Sequence, residues 1–113
     1  EGIEKYLARN PETCFVAEGE SGIVGAILSG HDGRRGTIRH AAVAPGHRGR
    51  GIGRQLVEAA LGAMQAQGIR KVNLVVFANN EEGNAFWERM GFARRPDLTY
   101  RNRALTDVIR IDT

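Results

Sequence analysis

Apolar residues fall in short blocks whose period changes along the chain. Ile3 to Ala8 has helical spacing and stops before Asn10-Pro11, whereas Thr13 to Glu18 holds the continuous apolar run Cys14-Phe15-Val16-Ala17 and predicts a strand. A second apolar strand, Ile23 to Ser29, follows the turn Glu20-Ser21-Gly22, so the two predict an antiparallel hairpin closed by the loop Gly30-His31-Asp32-Gly33. Arg35 to Ala44 predicts a third strand, ended at Pro45-Gly46, where proline removes a backbone donor and glycine permits a turn. From Gly51 to Gln67 the period becomes helical: Ile52, Leu56, Ala60 and Met64 recur at spacing four with Val57, Leu61 and Ala63 beside them, and Gly68 terminates the run. Lys71 to Phe77 is almost wholly apolar and predicts a central strand covered on both faces, after which Asn79-Asn80 opens a helix ending at Met90-Gly91. Phe92 to Arg94 and Leu98 to Leu105 predict two last strands broken at Pro96-Asp97, and Thr106 to Thr113 reads as a tail.

Strands first, then an alternation of strand and helix, predict an α/β or α+β domain with a mixed sheet and helices on both faces. At 113 residues the chain is short of the roughly 150 that make one typical domain, so residues 1–113 are read as a single unit with 106–113 as its C-terminal tail. With 42% hydrophobic and 26% charged residues and no long apolar run, the composition excludes disorder, collagen and a membrane-spanning helix. Cys14 is the only cysteine, which rules out an internal disulfide and a cysteine-based metal cluster and fits a reducing compartment, hence a cytoplasmic location. No pair of histidines has metal-ligand spacing beside a carboxylate, so no metal is expected. The chain begins Glu1-Gly2-Ile3 without an initiator methionine, from which an upstream segment is expected to be missing.

The net charge of +3 hides a local imbalance. Only Lys5 and Lys71 are lysine, and Arg34, Arg35, Arg39, Arg48, Arg50 and Arg54 occupy a stretch between Gly33 and Val57 with no acidic residue. Such a stretch is a solvated basic face, a nucleic-acid surface or an anion site, and composition does not choose among them.

Position does. Arg48-Gly49-Arg50-Gly51-Ile52-Gly53-Arg54 lies between an apolar strand and a long helix. A helix start presents unpaired N–H groups and the positive end of the helix dipole, and glycines let that backbone approach an anion closely. The arginines can add charge-assisted bonds, so the segment reads as a phosphate cradle. A nucleoside-triphosphate loop would need Gly-x-x-x-x-Gly-Lys-Ser/Thr, and a dinucleotide fingerprint would need a third glycine where Arg54 or Leu56 stands. The segment fits neither.

It does resemble the GNAT superfamily of acyl-CoA-dependent N-acyltransferases, whose signature is Arg/Gln-x-x-Gly-x-Gly/Ala after a strand. Here the strand end is Ala41-Ala42-Val43 and the signature is Arg48-Gly49-Arg50-Gly51-Ile52-Gly53. A second block, Asn80-Glu81-Glu82-Gly83-Asn84-Ala85-Phe86-Trp87-Glu88-Arg89-Met90-Gly91-Phe92, is similar to the superfamily's Asn-x-x-Ala-x-x-Phe-Tyr-Glu-x-x-Gly-Phe. The resemblance covers about residues 13 to 105, and the ending Arg95 to Asn102 resembles a small bacterial YpeA-like subgroup.

The resemblance implies a mixed, mostly antiparallel central sheet from which the first strand and helix are missing, with acetyl-CoA as cosubstrate. It implies that the backbone of Ala41, Ala42 and Val43 holds the pantetheine arm and that Arg48, Gly49, Arg50, Gly51, Ile52, Gly53 and Arg54 receive the pyrophosphate. Asn80 matches a cofactor contact, and Phe86 and Trp87 match an aromatic pair at the thiol end. Read on their own, Asn80 is a helix N-cap and Phe86 and Trp87 are core residues.

The implied chemistry is direct attack of a primary amine on the thioester in a ternary complex, which needs a proton acceptor and a donor. The superfamily's donor tyrosine is replaced by Trp87, whose indole N–H cannot serve near neutral pH, leaving Tyr100 or water. Val75 stands where some relatives have a glutamate base, and Thr37 and Arg39 where others place Glu or His. His40 has the right chemistry, but strand alternation turns it away from Thr37, Arg39, Ala41 and Val43. Arg39, with Thr37, is a candidate to select an acceptor that carries a carboxylate. His31 and His47 fall in turns and are expected to be exposed.

The expected partners are a small-molecule or protein amine and, across an exposed sheet edge, a second copy forming a homodimer; no nucleic acid or membrane is expected. The competing reading is a catalytically impaired acyl-CoA-binding module, suggested by Trp87, Val75 and the missing first strand. A basic nucleic-acid binder is disfavoured because the aromatics are not interleaved with the arginines.

Overall fold

The computed structural model describes residues 2–106, so all but the first residue of the expected tail 106–113 lies outside the described residues. The elements are α1 (Gly2–Arg9), β1 (Phe15–Gly19), β2 (Gly22–His31), β3 (Gly36–Val43), a short 3-10 turn (Pro45–His47), α2 (Ile52–Ala66), β4 (Val72–Asn73) and α3 (Glu81–Arg89). The sheet order is β1-β2-β3-β4. β1–β2 and β2–β3 are antiparallel, while β4 runs parallel to β3 after a crossover through α2. It is a mixed, mostly antiparallel sheet.

The helical period places α2 on one sheet face. Leu56, Val57, Ala60 and Met64 are buried there with Ile27, Ile38 and Ile69, and burying each of the larger side chains contributes about 1.5–3 kcal/mol. Phe86 and Trp87 of α3, with its C-cap Met90, pack at the rim of the same core. Close approach of α2 depends on Gly36: a Cβ there would lie 2.5 Å from the Met64 sulfur and 3.1 Å from Val72. On the opposite face, Ile3 and Tyr6 of α1 stand over Leu28, Arg39 and His40. α1 ends where Asn10 donates its backbone N–H and its Nδ2 to the Tyr6 carbonyl, with Pro11 next in sequence.

The entry to β1 is held by a buried reciprocal pair. The Thr13 hydroxyl donates to the Ser29 carbonyl over 2.6 Å, and the Ser29 hydroxyl donates to the Thr13 carbonyl. Both side chains are buried and both find a partner, which removes the penalty of burying a hydroxyl alone. Half-buried Cys14 also donates to the Ser29 carbonyl, over 3.4 Å.

Three sequence expectations fail. The strand expected over Lys71 to Phe77 is only Val72–Asn73, because β3 offers it two paired positions and then moves away. One face of this segment is uncovered, with Val75 and Phe77 exposed. No strand forms at Phe92 to Arg94 or over Leu98 to Leu105; apolar content there meets no ladder partner, and a local turn at Arg95–Leu98 carries a two-bond Arg95–Asp97 ion pair instead.

Candidate active site

β3 and β4 form a fork. Gly36 pairs with Val72 and Thr37 with Asn73, and the Thr37 hydroxyl donates to Asn73 Oδ1 over 3.1 Å. Beyond that point Ile38 to Val43 keep β2 on one side but have no ladder partner on the other among the described residues. Ala41, Ala42 and Val43 lie on this open edge. An unpaired strand edge presents backbone N–H and C=O groups able to bond an extended guest.

The open edge leads into the start of α2. Gly49 and Gly51 have φ of 81° and 80°, a left-handed conformation that side chains disfavour. Gly51 is the N-cap and provides no side-chain oxygen; the first helical bond runs from the Gln55 N–H to the Gly51 carbonyl, 3.0 Å. The N–H groups of Ile52, Gly53 and Arg54 therefore have no helical acceptor. A Cβ added at Gly49 or Gly51 would meet nothing within 4 Å, so this backbone faces open space. Unpaired donors, dipole and access fit a pyrophosphate.

The three arginines here differ. Arg48 Nε donates to the Val43 carbonyl over 3.1 Å and ties the loop to the end of β3. Arg54 pairs with Glu58 at 3.1 Å across an exposed helical turn, a pair worth at most about 1 kcal/mol. Arg50 is exposed. The six-arginine stretch is not one patch: Arg34 and Arg35 sit in the β2–β3 turn, at the end of β3 away from the cradle.

α3 closes the other side. Asn80 caps it by accepting from the Gly83 N–H over 3.0 Å. Asn84 donates from Nδ2 to the Phe77 carbonyl at 3.0 Å and the Asn80 carbonyl at 2.8 Å, bracing the chain between β4 and α3. Phe86 and Trp87 meet edge to face at 5.0 Å, and Trp87 meets Phe92 likewise at 5.3 Å. A Cβ on Gly53 would sit 3.4 Å from the Phe86 ring, so this ring abuts the first turn of α2.

Strand alternation misplaces His40. Leu28 pairs with His40 and Ser29 with Ile38, which leaves Arg39 as the extra residue of a bulge. Arg39 and His40 consequently share one face and line a shallow groove of about 310 Å³ with Ile3, Tyr6 and Leu28. Ile38 points into the core, so alternation puts Thr37 on the groove's face as well. Burial pushes the Tyr6 phenol above its ordinary value; Cys14 acts in the same direction and Arg39 against it.

The other candidates lie elsewhere. Tyr100 is 58% exposed in an irregular segment, without the strand expected to carry it. His31 and His47 are half-buried rather than exposed. His31 accepts from the Gly33 N–H at Nδ1 and donates from Nε2 to Gln67 Oε1 over 2.8 Å. His47 Nδ1 is buried with no partner among the described residues. Sequence reasoning missed Tyr6, Asn73 and Asn84. Only Asn84 carried a local signal, its spacing of four from the cap Asn80.

A model of the acetyltransferase (GNAT) family matches residues 1–92. An acetyltransferase of Yersinia pestis (strain Pestoides F) is 30% identical over 105 residues, covering 93% of this chain and 74% of the relative. The crystal structure of Ard1 from Thermoplasma volcanium superposes with a TM-score of 0.76 at 27% identity, over 80% of this chain and 62% of that one. The NatC complex bound to Gag peptide and CoA gives 0.73 at 27% identity, over 83% and 65%. The chain thus spans under two thirds of these two solved chains. Family match, relative and fold agree with the fork and the glycine-lined helix start: the chain belongs to the acetyltransferase (GNAT) family, a family of acyltransferases.

Proposed function

We propose that the chain transfers an acetyl group from acetyl-CoA to a primary amine by direct attack within a ternary complex. The observation that carries this reading is the open edge of β3 running into the unpaired amides of α2. Ala41, Ala42 and Val43 would hold the pantetheine arm, and the backbone from Gly49 to Arg54, with Arg48 and Arg50, the pyrophosphate. Asn80, Phe86 and Trp87 flank the far side of the fork. Bound there, acetyl-CoA supplies an acetyl thioester.

The remaining roles fall to the groove. His40 is exposed and is the candidate acceptor for the proton that the amine loses. Trp87 carries no transferable proton, and since Tyr100 lacks the strand that would carry it beside the fork, water is the donor proposed for the thiol side. Thr37 and Arg39 face the acceptor.

The test is release of free thiol from acetyl-CoA across a panel of primary amines. The reading expects release with at least one class of amine, and His40→Ala should flatten the pH dependence of turnover near neutrality. A chain that binds CoA and releases no thiol with any amine would instead be a cofactor-binding module without transfer, the reading that Trp87 favours.

A further inference from the structure

The groove between α1 and the bulge in β3 combines features that specify a ligand. Its floor and wall are apolar: Leu28 from β2, Ile3 from α1 and the ring of Tyr6. At its edge stands Arg39, which takes part in neither of the ion pairs formed among the described residues. Arg39 is exposed, while Ile38 before it is buried and His40 after it shares its groove. A regular strand would have sent Arg39 and His40 to opposite faces. The bulge sets a cation and an imidazole side by side over an apolar wall.

We propose that the acceptor is a free amino acid with an apolar side chain, whose carboxylate is held by Arg39 while its amine lies beside His40. This rests on the acetyl-transfer reading above and names its substrate class. An α-amino acid has its charged groups on one carbon, as the bulge has its two side chains on adjacent residues, and the apolar side chain then falls on Ile3, Tyr6 and Leu28. Guanidinium and carboxylate form a two-bond fork, which a lysine or an amide cannot reproduce.

The probes are L-phenylalanine and phenethylamine, which share a ring and a primary amine and differ in the carboxylate. Each is titrated into the whole chain with CoA present and followed by backbone amide NMR shifts. Transfer is measured in parallel as kcat/KM with acetyl-CoA. The inference expects shifts centred on Leu28, Arg39 and His40, and a preference for phenylalanine of about tenfold or more, since a charge-assisted bond contributes about 1.5–3 kcal/mol. Arg39→Gln should bring that ratio close to one and leave CoA binding unchanged. Equal binding of the two probes, binding of neither, or a ratio that survives Arg39→Gln overturns the inference. If thiol is still released from acetyl-CoA with other primary amines in those cases, the acetyl-transfer reading stands without this substrate class; no release with any amine, or no CoA binding by the wild-type chain, would overturn both.

Discussion

Thr37 and Asn73 are joined twice, by their place as the last pair of the parallel ladder and by a 3.1 Å bond from the Thr37 hydroxyl to Asn73 Oδ1. This second link fixes where the strands part, and so where the open edge of β3 begins. Thr37→Val keeps the branched shape and removes the donor. One exposed hydrogen bond contributes about 0.5–1.5 kcal/mol, so CoA affinity should fall by at most about tenfold with a small loss of stability. Isothermal titration and thermal unfolding of the variant check this. An unchanged affinity would show that the fork is set by the backbone alone.

Asn80 tests a structural role against a binding role. Its side chain caps α3, and replacing such a cap with alanine costs about 1 kcal/mol. Asn80→Ala should lower the unfolding midpoint, whereas Asn80→Asp retains the capping oxygen and should restore most of it. CoA affinity measured well below the unfolding transition separates the roles: Asn80→Ala weakens it if the side chain also touches the cofactor, and leaves it unchanged if it only caps.

The β2–β3 turn predicts an acid dependence. The Asp32 carboxylate accepts from the Arg35 and Arg34 N–H groups, 2.8 Å each, and these bonds hold it below its ordinary value. A carboxyl lowered by folding stabilises the fold fully above its unfolded value, and that contribution disappears as pH falls through the folded one. Asp32→Ala should therefore unfold at a lower temperature than wild type at pH 7, and the two curves should converge in acid. Thermal unfolding across pH measures this; a constant difference would mean that the carboxylate is not responsible.

What the sequence revealed and what it concealed divide along one physical line. The helix start was legible because Gly49, Gly51 and Gly53 act through backbone properties set within a few residues. So was the cap Asn80, four residues from the Asn84 that shares its corner. The extent of β4 was not, since Val75 and Phe77 have strand composition but a strand exists only where a neighbour pairs with it. The shared face of Arg39 and His40 was not legible, because a bulge depends on register with β2, on which Leu28 meets His40 and Ser29 meets Ile38. Tyr6 joins them through the docking of α1, which lies far from them in sequence and leaves no local mark.

The central claim is that the open edge of β3 and the glycine-lined start of α2 form one site for acetyl-CoA. The most direct test is isothermal titration of the chain with acetyl-CoA and with desulfo-CoA, beside Gly51→Asp and double-stranded DNA at the same ionic strength. Both cofactor forms should bind the wild-type chain in the micromolar range, since the contacts lie along the arm and pyrophosphate rather than at sulfur. Gly51→Asp, which sets a carboxylate among those amides, should abolish binding while remaining folded, and DNA should give no heat. A folded Gly51→Asp variant that binds as the wild type does would contradict the account, as would a wild-type chain that takes up DNA and neither cofactor form.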